Sequence, residues 1–254
     1  MRNIRLIARL DVKAPNLVKC IQLEGLRKMG DPNIFAKKYY DQGIDEIYYE
    51  DIVASLYERN SLVDIIRKTT ANVFVPITVG GGLRTIDDVQ TALRAGADKV
   101  SINTGAIKNP KIISDVAKRL GSQCMVLSIQ AKKNNNSWEA YYDNGREHSG
   151  LDAIEWAIEG QKLGAGEILV TSVDKEGTAK GFDCDLVNEI SSNVSIPVIA
   201  SGGMGKLEHL SDVVNIGKAD AVAMAHVLHY EHLSIKQIRE YAAENNILVR
   251  PMGK

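Results

Sequence analysis

The chain has 254 residues, 44% of them hydrophobic and 25% charged, with a formal net charge of −1 at pH 7. That length and apolar content suffice for one full-sized core, and the near-neutral charge leaves no global electrostatic case for nucleic acid or an anionic membrane. The three cysteines, Cys20, Cys124 and Cys184, are odd in number and widely spaced. They fit neither a disulfide framework nor a zinc-ligand pattern, so free thiols in a reducing cytosol are expected. The start, MRNIRLIARLDVK, carries charges through its apolar stretch, unlike a signal peptide. No apolar run approaches the ~20 residues of a membrane span.

Short apolar strands alternate with amphipathic helices along the chain, the pattern of a parallel βα repeat. A strand is predicted over 4–10, followed by a long segment, 14–31, that contains Lys19. Loops of that length in a compact domain usually serve as lids or binding loops. Next come a helix over 32–42, a strand over 46–51 and a helix over 61–71. Strands over 74–79 and 99–102 follow, each with its helix, 86–95 and 110–120. A fifth strand over 125–129 leads into a second long segment, 132–150, where Asn144-Gly145 signals a β-hairpin turn. Helix 151–163, strand 167–172, helix 185–192, strand 198–201, helix 207–215, strand 221–224 and helix 235–245 complete the series. Eight strands and eight helices in alternation predict a (β/α)8 TIM barrel, one domain over 1–254.

The chain repeats itself. Val75-Pro76-Ile77-Thr78-Val79-Gly80-Gly81-Gly82 recurs as Ile196-Pro197-Val198-Ile199-Ala200-Ser201-Gly202-Gly203, and Pro76 precedes Pro197 by 121 positions. Asp45-Glu46-Ile47 matches Gly166-Glu167-Ile168, and Asp98-Lys99-Val100-Ser101 matches Asp220-Ala221-Val222-Ala223. The expected barrel is therefore two duplicated (β/α)4 halves, approximately 1–121 and 122–254.

Three constellations carry chemistry. Strand-end glycines before a helix N-terminus let backbone N–H groups face a phosphate. Gly81 and Gly82 with Asn103 and Thr104 form one such candidate; Gly177 with Ser201, Gly202, Gly203 and the turn before Val227 forms the other. Two symmetric grips favour a bisphosphate lying across the barrel mouth, with Thr171 at the end of strand six in the same binding set. Lys19 is a candidate lid contact to a phosphate. The second constellation is acid–base: Asp11 ends strand one and Gln130 ends strand five, opposite each other in an eight-strand ring, and a strand-end carboxylate on that face reads as catalytic. Asp51 and Asp174 also end strands, where they either position substrate or cap a turn. The third lies at the opposite end. Arg5, Glu46, Lys99 and Glu167 start strands one, two, four and six, and by alternation Arg5 lies ~20 Å below Asp11. Charges inside a barrel are costly unless paired, so two cations and two anions at one level predict a ring, a polar gate at the floor. Four histidines, His148, His209, His229 and His232, show no ligand spacing and are expected at the surface or at helix ends.

Arg9-Leu10-Asp11-Val12-Lys13, Gly30-Asp31-Pro32, Thr78–Gly82, Gly96–Asn103, Gly121-Ser122-Gln123, Gly164–Leu169 and Ile196–Gly203 together resemble the cyclase subunit of imidazole glycerol phosphate synthase, the HisF type, over essentially the whole chain. The resemblance implies a cytoplasmic enzyme of histidine biosynthesis that needs no metal or organic cofactor. A HisH-type glutaminase would dock at the floor as a heterodimer, with Asp98 and Gln123 as partner contacts. Ammonia would pass the gate of Arg5, Glu46, Lys99 and Glu167 and react at the mouth with a ribulosyl aminoimidazole bisphosphate. The products would be imidazole glycerol phosphate and an aminoimidazole carboxamide ribotide, with Asp11 as the acid/base.

The chain departs from that pattern at four positions. Gln130 stands where the family's second catalytic carboxylate belongs, and an amide cannot exchange a proton near neutral pH. His226 replaces a phosphate-binding Ser, Glu176 replaces an Asp, and Tyr48 by strand parity points into the barrel and narrows the passage. Arg5–Arg9 and Asp51-Ile52-Val53-Ala54-Ser55-Leu56-Tyr57 also resemble a HisF-like subgroup linked to acetamidino modification of surface sugars. That subgroup implies an alternative, ammonia delivery to a sugar amidotransferase without cyclase activity. A phosphoribosyl isomerase-type barrel is a third reading, which has no use for a charged floor.

Overall fold

A computed structural model describes residues 3–54 and 62–251. Ser55–Tyr57 of the subgroup motif and Ser61, the start of one predicted helix, lie outside the described residues. The strands are β1 (Arg5–Lys13), β2 (Asn16–Ile21), β3 (Glu24–Gly30), β4 (Glu46–Asp51), β5 (Ile77–Gly80), β6 (Lys99–Ile102), β7 (Met125–Asn134), β8 (Ser137–Tyr142), β9 (Glu147–Asp152), β10 (Glu167–Ser172), β11 (Val198–Ser201) and β12 (Ala221–Met224). The helices are α1 (Pro32–Asp41), α2 (Val63–Thr70), α3 (Ile86–Arg94), α4 (Thr104–Lys108), α5 (Lys111–Leu120), α6 (Ala153–Leu163), α7 (Cys184–Asn193), α8 (Glu208–Asn215), α9 (His226–His229) and α10 (Ile235–Glu244).

Eight parallel strands close on themselves in the order β1, β4, β5, β6, β7, β10, β11, β12 and back to β1. The helices lie between them in sequence, so the molecule is a (β/α)8 barrel, as the alternation predicts. Each turn of chain is fastened locally. Thr85 and Asp88 form a reciprocal capping box on α3, Ser234 and Gln237 one on α10, and Gly164 ends α6 in the left-handed conformation at φ 110°. A recurring pin reflects the repeat: Asp45, Asp98 and Asp220, just before β4, β6 and β12, accept backbone N–H groups from Leu6, Ile77 and Val198 at 2.8, 2.8 and 3.0 Å.

Among the described residues, two short helices, α4 and α9, are additional to the eight expected, and three strand regions differ from the sequence reading. The segment 14–31 is an antiparallel hairpin, β2 and β3, that extends β1 outward. Its polar residues hide alternation from a pattern search, because β3 is largely solvent-facing. Strand 74–79 begins three residues later, at Ile77: Pro76 has no N–H for a ladder bond, and Phe74 is 74% exposed. The expected hairpin within 132–150 is a three-stranded meander, β7–β8–β9, with Asp143 and Asn144 turning at φ 49° and 60°.

Strand alternation splits the core. Leu6, Ala8, Leu10 and Val12 of β1 face the helices, while Ile7, Tyr48, Val126, Leu169, Ile199, Ala221 and Ala223 fill the barrel axis. At about 25 cal/mol per Å² of apolar surface removed from water, these two layers supply the main driving force for folding.

Candidate active site

The barrel has two chemically distinct ends. At the floor Arg5 donates to Glu46 at 2.7 Å and to Glu167. Lys99 reaches the same two carboxylates, Glu46 at 3.2 Å and Glu167 at 3.0 Å. The four predicted residues thus form a closed ring of alternating charge. Gln123 lies beside it, lining a shallow depression with Arg5, Lys99 and Asp220. Asp98 is exposed nearby, with one carboxylate oxygen held by the Ile77 N–H.

Above the ring the axis narrows. Tyr48 points inward, buried, as parity predicts. Over it sits Arg9, only 2% exposed, its guanidinium 5.7 Å from the Tyr48 ring centroid. Arg9 Nε donates to Asp11 Oδ1 at 2.8 Å, and Nη1 donates to Thr171 Oγ1 at 2.9 Å and Ser201 Oγ at 3.1 Å. Those two hydroxyls, expected to bind substrate, are engaged by Arg9 from across the barrel. Period-two parity with Arg5 and Asp11 places Arg9 inside the barrel, but nothing local in the sequence marks it as part of the site.

Asp11 is fully buried at the end of the axis. Burial by itself would raise its pKa, but Arg9 and then Lys19, 3.7 Å away, hold the carboxyl below its ordinary value. Lys19 departs from its expected role. Its ammonium is buried, paired with Glu176 and close to Asp11, so it bridges carboxylates rather than reaching outward for a phosphate.

The mouth holds a cavity of about 270 Å³ lined by Glu50, Asp51, Gly81, Gly82, Arg84, Ser101, Asn103, Thr104, Lys108 and Gln130, among others. Gly81 takes φ 94°, and a Cβ there would strike the backbone of Asp51, so the position requires glycine. Gly81, Gly82, Asn103 and Thr104, the residues of the first expected grip, come together in this cavity beside the cations Arg84 and Lys108. Within it the Asn103 amide donates to the carbonyls of Ser128 and Tyr141 at 3.1 and 3.0 Å, a bracing role. Thr104 Oγ1 accepts from the Asp143 N–H at 3.0 Å, tying the meander to the cavity rim. Gln130 lines the same cavity, its carbonyl oxygen buried without a hydrogen-bond partner. Asp51 accepts from the Val53 N–H at 3.1 Å, and Asp174 from the Lys133 N–H at 2.8 Å.

The second expected grip is tighter. Gly177, Ser201, Gly202, Gly203 and His226 surround a crevice of only about 10 Å³, with Arg9 at its base. His229 ends helix α9, one of the two placements expected of it, and it is buried there. Its Nδ1 lies 2.7 Å from the Tyr39 hydroxyl, and burial depresses its pKa to about 3.

One carboxylate had no place in the sequence reading. Glu50 is 8% exposed, lines the mouth cavity and accepts a hydrogen bond from the Tyr48 hydroxyl. Burial raises its pKa to about 7, against the lowering pull of Arg9 and Tyr48. Its parity with Glu46 and Tyr48 was the available signal. Together these groups can hold an anionic substrate against glycine backbone and exchange a proton beside it.

A family model described as histidine biosynthesis protein matches residues 5–234. The imidazole glycerol phosphate synthase subunit HisF of Legionella pneumophila is 63% identical over 212 residues, 83% of this chain and 100% of that protein. The subunit of the same name from Prochlorococcus marinus (strain NATL1A) is 47% identical over 252 residues, 98% of each chain. The chain belongs to the HisF family. Membership covers both ends of the barrel, from the floor ring to the glycine-lined mouth, and also the hairpin that carries Lys19. Arg9, Tyr48, Glu50 and Gln130 are among the polar residues with which this HisF-family barrel lines its axis and mouth.

Proposed function

We propose that the chain is the cyclase subunit of an imidazole glycerol phosphate synthase, a lyase-type enzyme of histidine biosynthesis folded as one barrel domain over 1–254. Ammonia released by a HisH-type glutaminase enters through the Arg5–Glu46–Lys99–Glu167 ring and reacts at the mouth with a ribulosyl aminoimidazole bisphosphate. One observation carries this reading: a closed charged ring at the floor and a glycine-lined cavity with Arg84 and Lys108 at the mouth share one axis. A ring that pairs every charge still presents polar atoms to a small polar guest, whereas an apolar plug would not. Gly81, Gly82 and Thr104 grip one phosphate, and Gly177, Gly202 and Gly203 the other. Asp11, ionised, buried and paired with Arg9 and Lys19, takes a proton once that ion-pair network opens to the substrate. Asp98 and Gln123 lie on the docking face for the glutaminase. No described helix is long and apolar enough to cross a membrane, which fits work in the cytoplasm.

The test is consumption of the ribulosyl bisphosphate by purified chain supplied with ammonium salt. Ammonia-dependent turnover that Asp11→Asn reduces by roughly 10²–10⁴-fold is expected. Absence of turnover at saturating ammonium, with glutaminase binding intact, would overturn the cyclase reading in favour of ammonia delivery to a separate amidotransferase.

A further inference from the structure

We infer that Glu50 is the second proton-handling group of this site, taking the part that Gln130 cannot. The inference rests on the cyclase reading above. In the strand register Glu50 stands directly beside Asp11, since β1 and β4 pair Asp11 with Glu50. The carboxylate pair of this barrel is thus formed by adjacent strands. Among the described residues, the carboxylates lining the mouth cavity are Glu50 and Asp51, and Asp51 is engaged in the turn at Val53. Asp11 is not part of that cavity's lining; it is fully buried and ion-paired with Arg9 and Lys19. Glu50 therefore holds the position from which a bound substrate can be reached. The Tyr48 hydroxyl aims its carboxyl, and Gly80 on β5 leaves room for it, because a Cβ there would collide with Glu50 Oε2 and the Tyr48 hydroxyl.

The charged and titratable groups acting most strongly on Glu50 are Arg9 and Asp11 from β1 and Tyr48 and Asp51 from its own strand, and Arg84 and Lys108 line the same cavity. They push the two carboxyls apart. Asp11, next to two cations, stays ionised, while Glu50, buried and near two other carboxylates, titrates at about 7 and supplies both acid and base forms at neutral pH. The step it serves is addition of ammonia to the ribulosyl ketone. The ammonia lone pair forms the C–N bond while the C=O π pair moves onto oxygen, which takes the proton of neutral Glu50. The resulting Glu50 carboxylate then accepts a proton from the new ammonium nitrogen. This leaves a neutral carbinolamine and the carboxyl in its starting form, ready to protonate the hydroxyl that departs as water.

The experiment measures kcat and KM for ammonium-driven turnover of the ribulosyl bisphosphate between pH 5.5 and 9, using the full chain and three variants. The unmodified chain is expected to show an inflection near pH 7. Glu50→Gln should lower kcat by roughly 10²–10⁴-fold, leave KM within about threefold and abolish the inflection. Glu50→Asp should restore part of the rate and an inflection. Tyr48→Phe removes a hydrogen bond that favours the ionised carboxyl, so its inflection should move to higher pH. Near-normal kcat in Glu50→Gln with the inflection retained would overturn the assignment and leave the cyclase reading standing. If Glu50→Gln does not fold, an unmoved inflection in Tyr48→Phe overturns it instead. An inert unmodified chain overturns the cyclase reading, and this assignment with it.

Discussion

Glu50 and Asp11 are neighbours of one chemical type that desolvation and charge separate into opposite behaviours. The folded chain raises Glu50 from 4.5 to about 7. Below pH 4.5 both folded and unfolded chains carry the proton, and the group has no effect. Between 4.5 and 7 the unfolded chain ionises first, so stability falls as pH rises, reaching a loss of about 3 kcal/mol above pH 7. Glu50→Gln should therefore gain about 3 kcal/mol on the unmodified chain between pH 4.5 and pH 8, read from urea unfolding at the two pH values. A gain that does not grow with pH would show that Glu50 is ionised when folded. Asp11 has the opposite sign. Its folded pKa is depressed, so its contribution is complete above its unfolded value near ~3.9 and disappears as pH falls through the folded one. Legibility at this scale is uneven. Asp11, Gln130 and the floor charges could be read from strand ends and period-two parity. Glu50 obeyed the same parity, but its importance depends on desolvation and on Arg9, neither of which is a local property.

The β2–β3 hairpin closes inward over the barrel mouth. Its Lys19 reaches inward to Glu176, 157 positions away, and the Gln22 N–H donates to the Glu176 carbonyl at 2.8 Å. Gly177, at φ 70°, packs against the backbone of Cys20 and Ile21. The hairpin is thus latched to the turn after β10 and covers Asp11. Gly177→Ala would strain the backbone and push a methyl into that contact. It is expected to speed amide hydrogen exchange across 16–30 by at least about tenfold while the barrel strands stay protected. Uniform exchange in 16–30 and in β4–β7 would argue that the latch is not a separate unit. The eight barrel strands are legible in the sequence because their alternation with helices is local. Segment 14–31 reads as a loop because an exposed hairpin lacks the apolar pattern that marks a buried strand.

At the scale of the whole molecule, the two ends are joined by an axis occupied by Tyr48 and Arg9, so passage from floor to mouth requires those side chains to give way. The floor ring is the entrance in the proposed function. Lys99→Glu would leave three carboxylates around Arg5. Glutamine-driven turnover in the presence of a HisH-type glutaminase should fall at least about tenfold relative to ammonium-driven turnover, with weaker co-elution of the two subunits. Equal loss of both activities would place the defect in the barrel's stability rather than at its entrance.

The architecture and the floor ring were determined by the sequence alone. The 121-position repeat, the βα rhythm and the two-residue alternation are written in near neighbours, and the geometry of a closed barrel converts them into position. Tertiary structure alone decided which charges meet at the mouth. Arg9 finds Thr171 and Ser201 across the barrel, Lys19 finds Glu176, and Glu50 loses its water beside Asp11. Those pairings span 157 to 192 positions or depend on burial. Their energies come from distance and dielectric, which exist only once the barrel has closed.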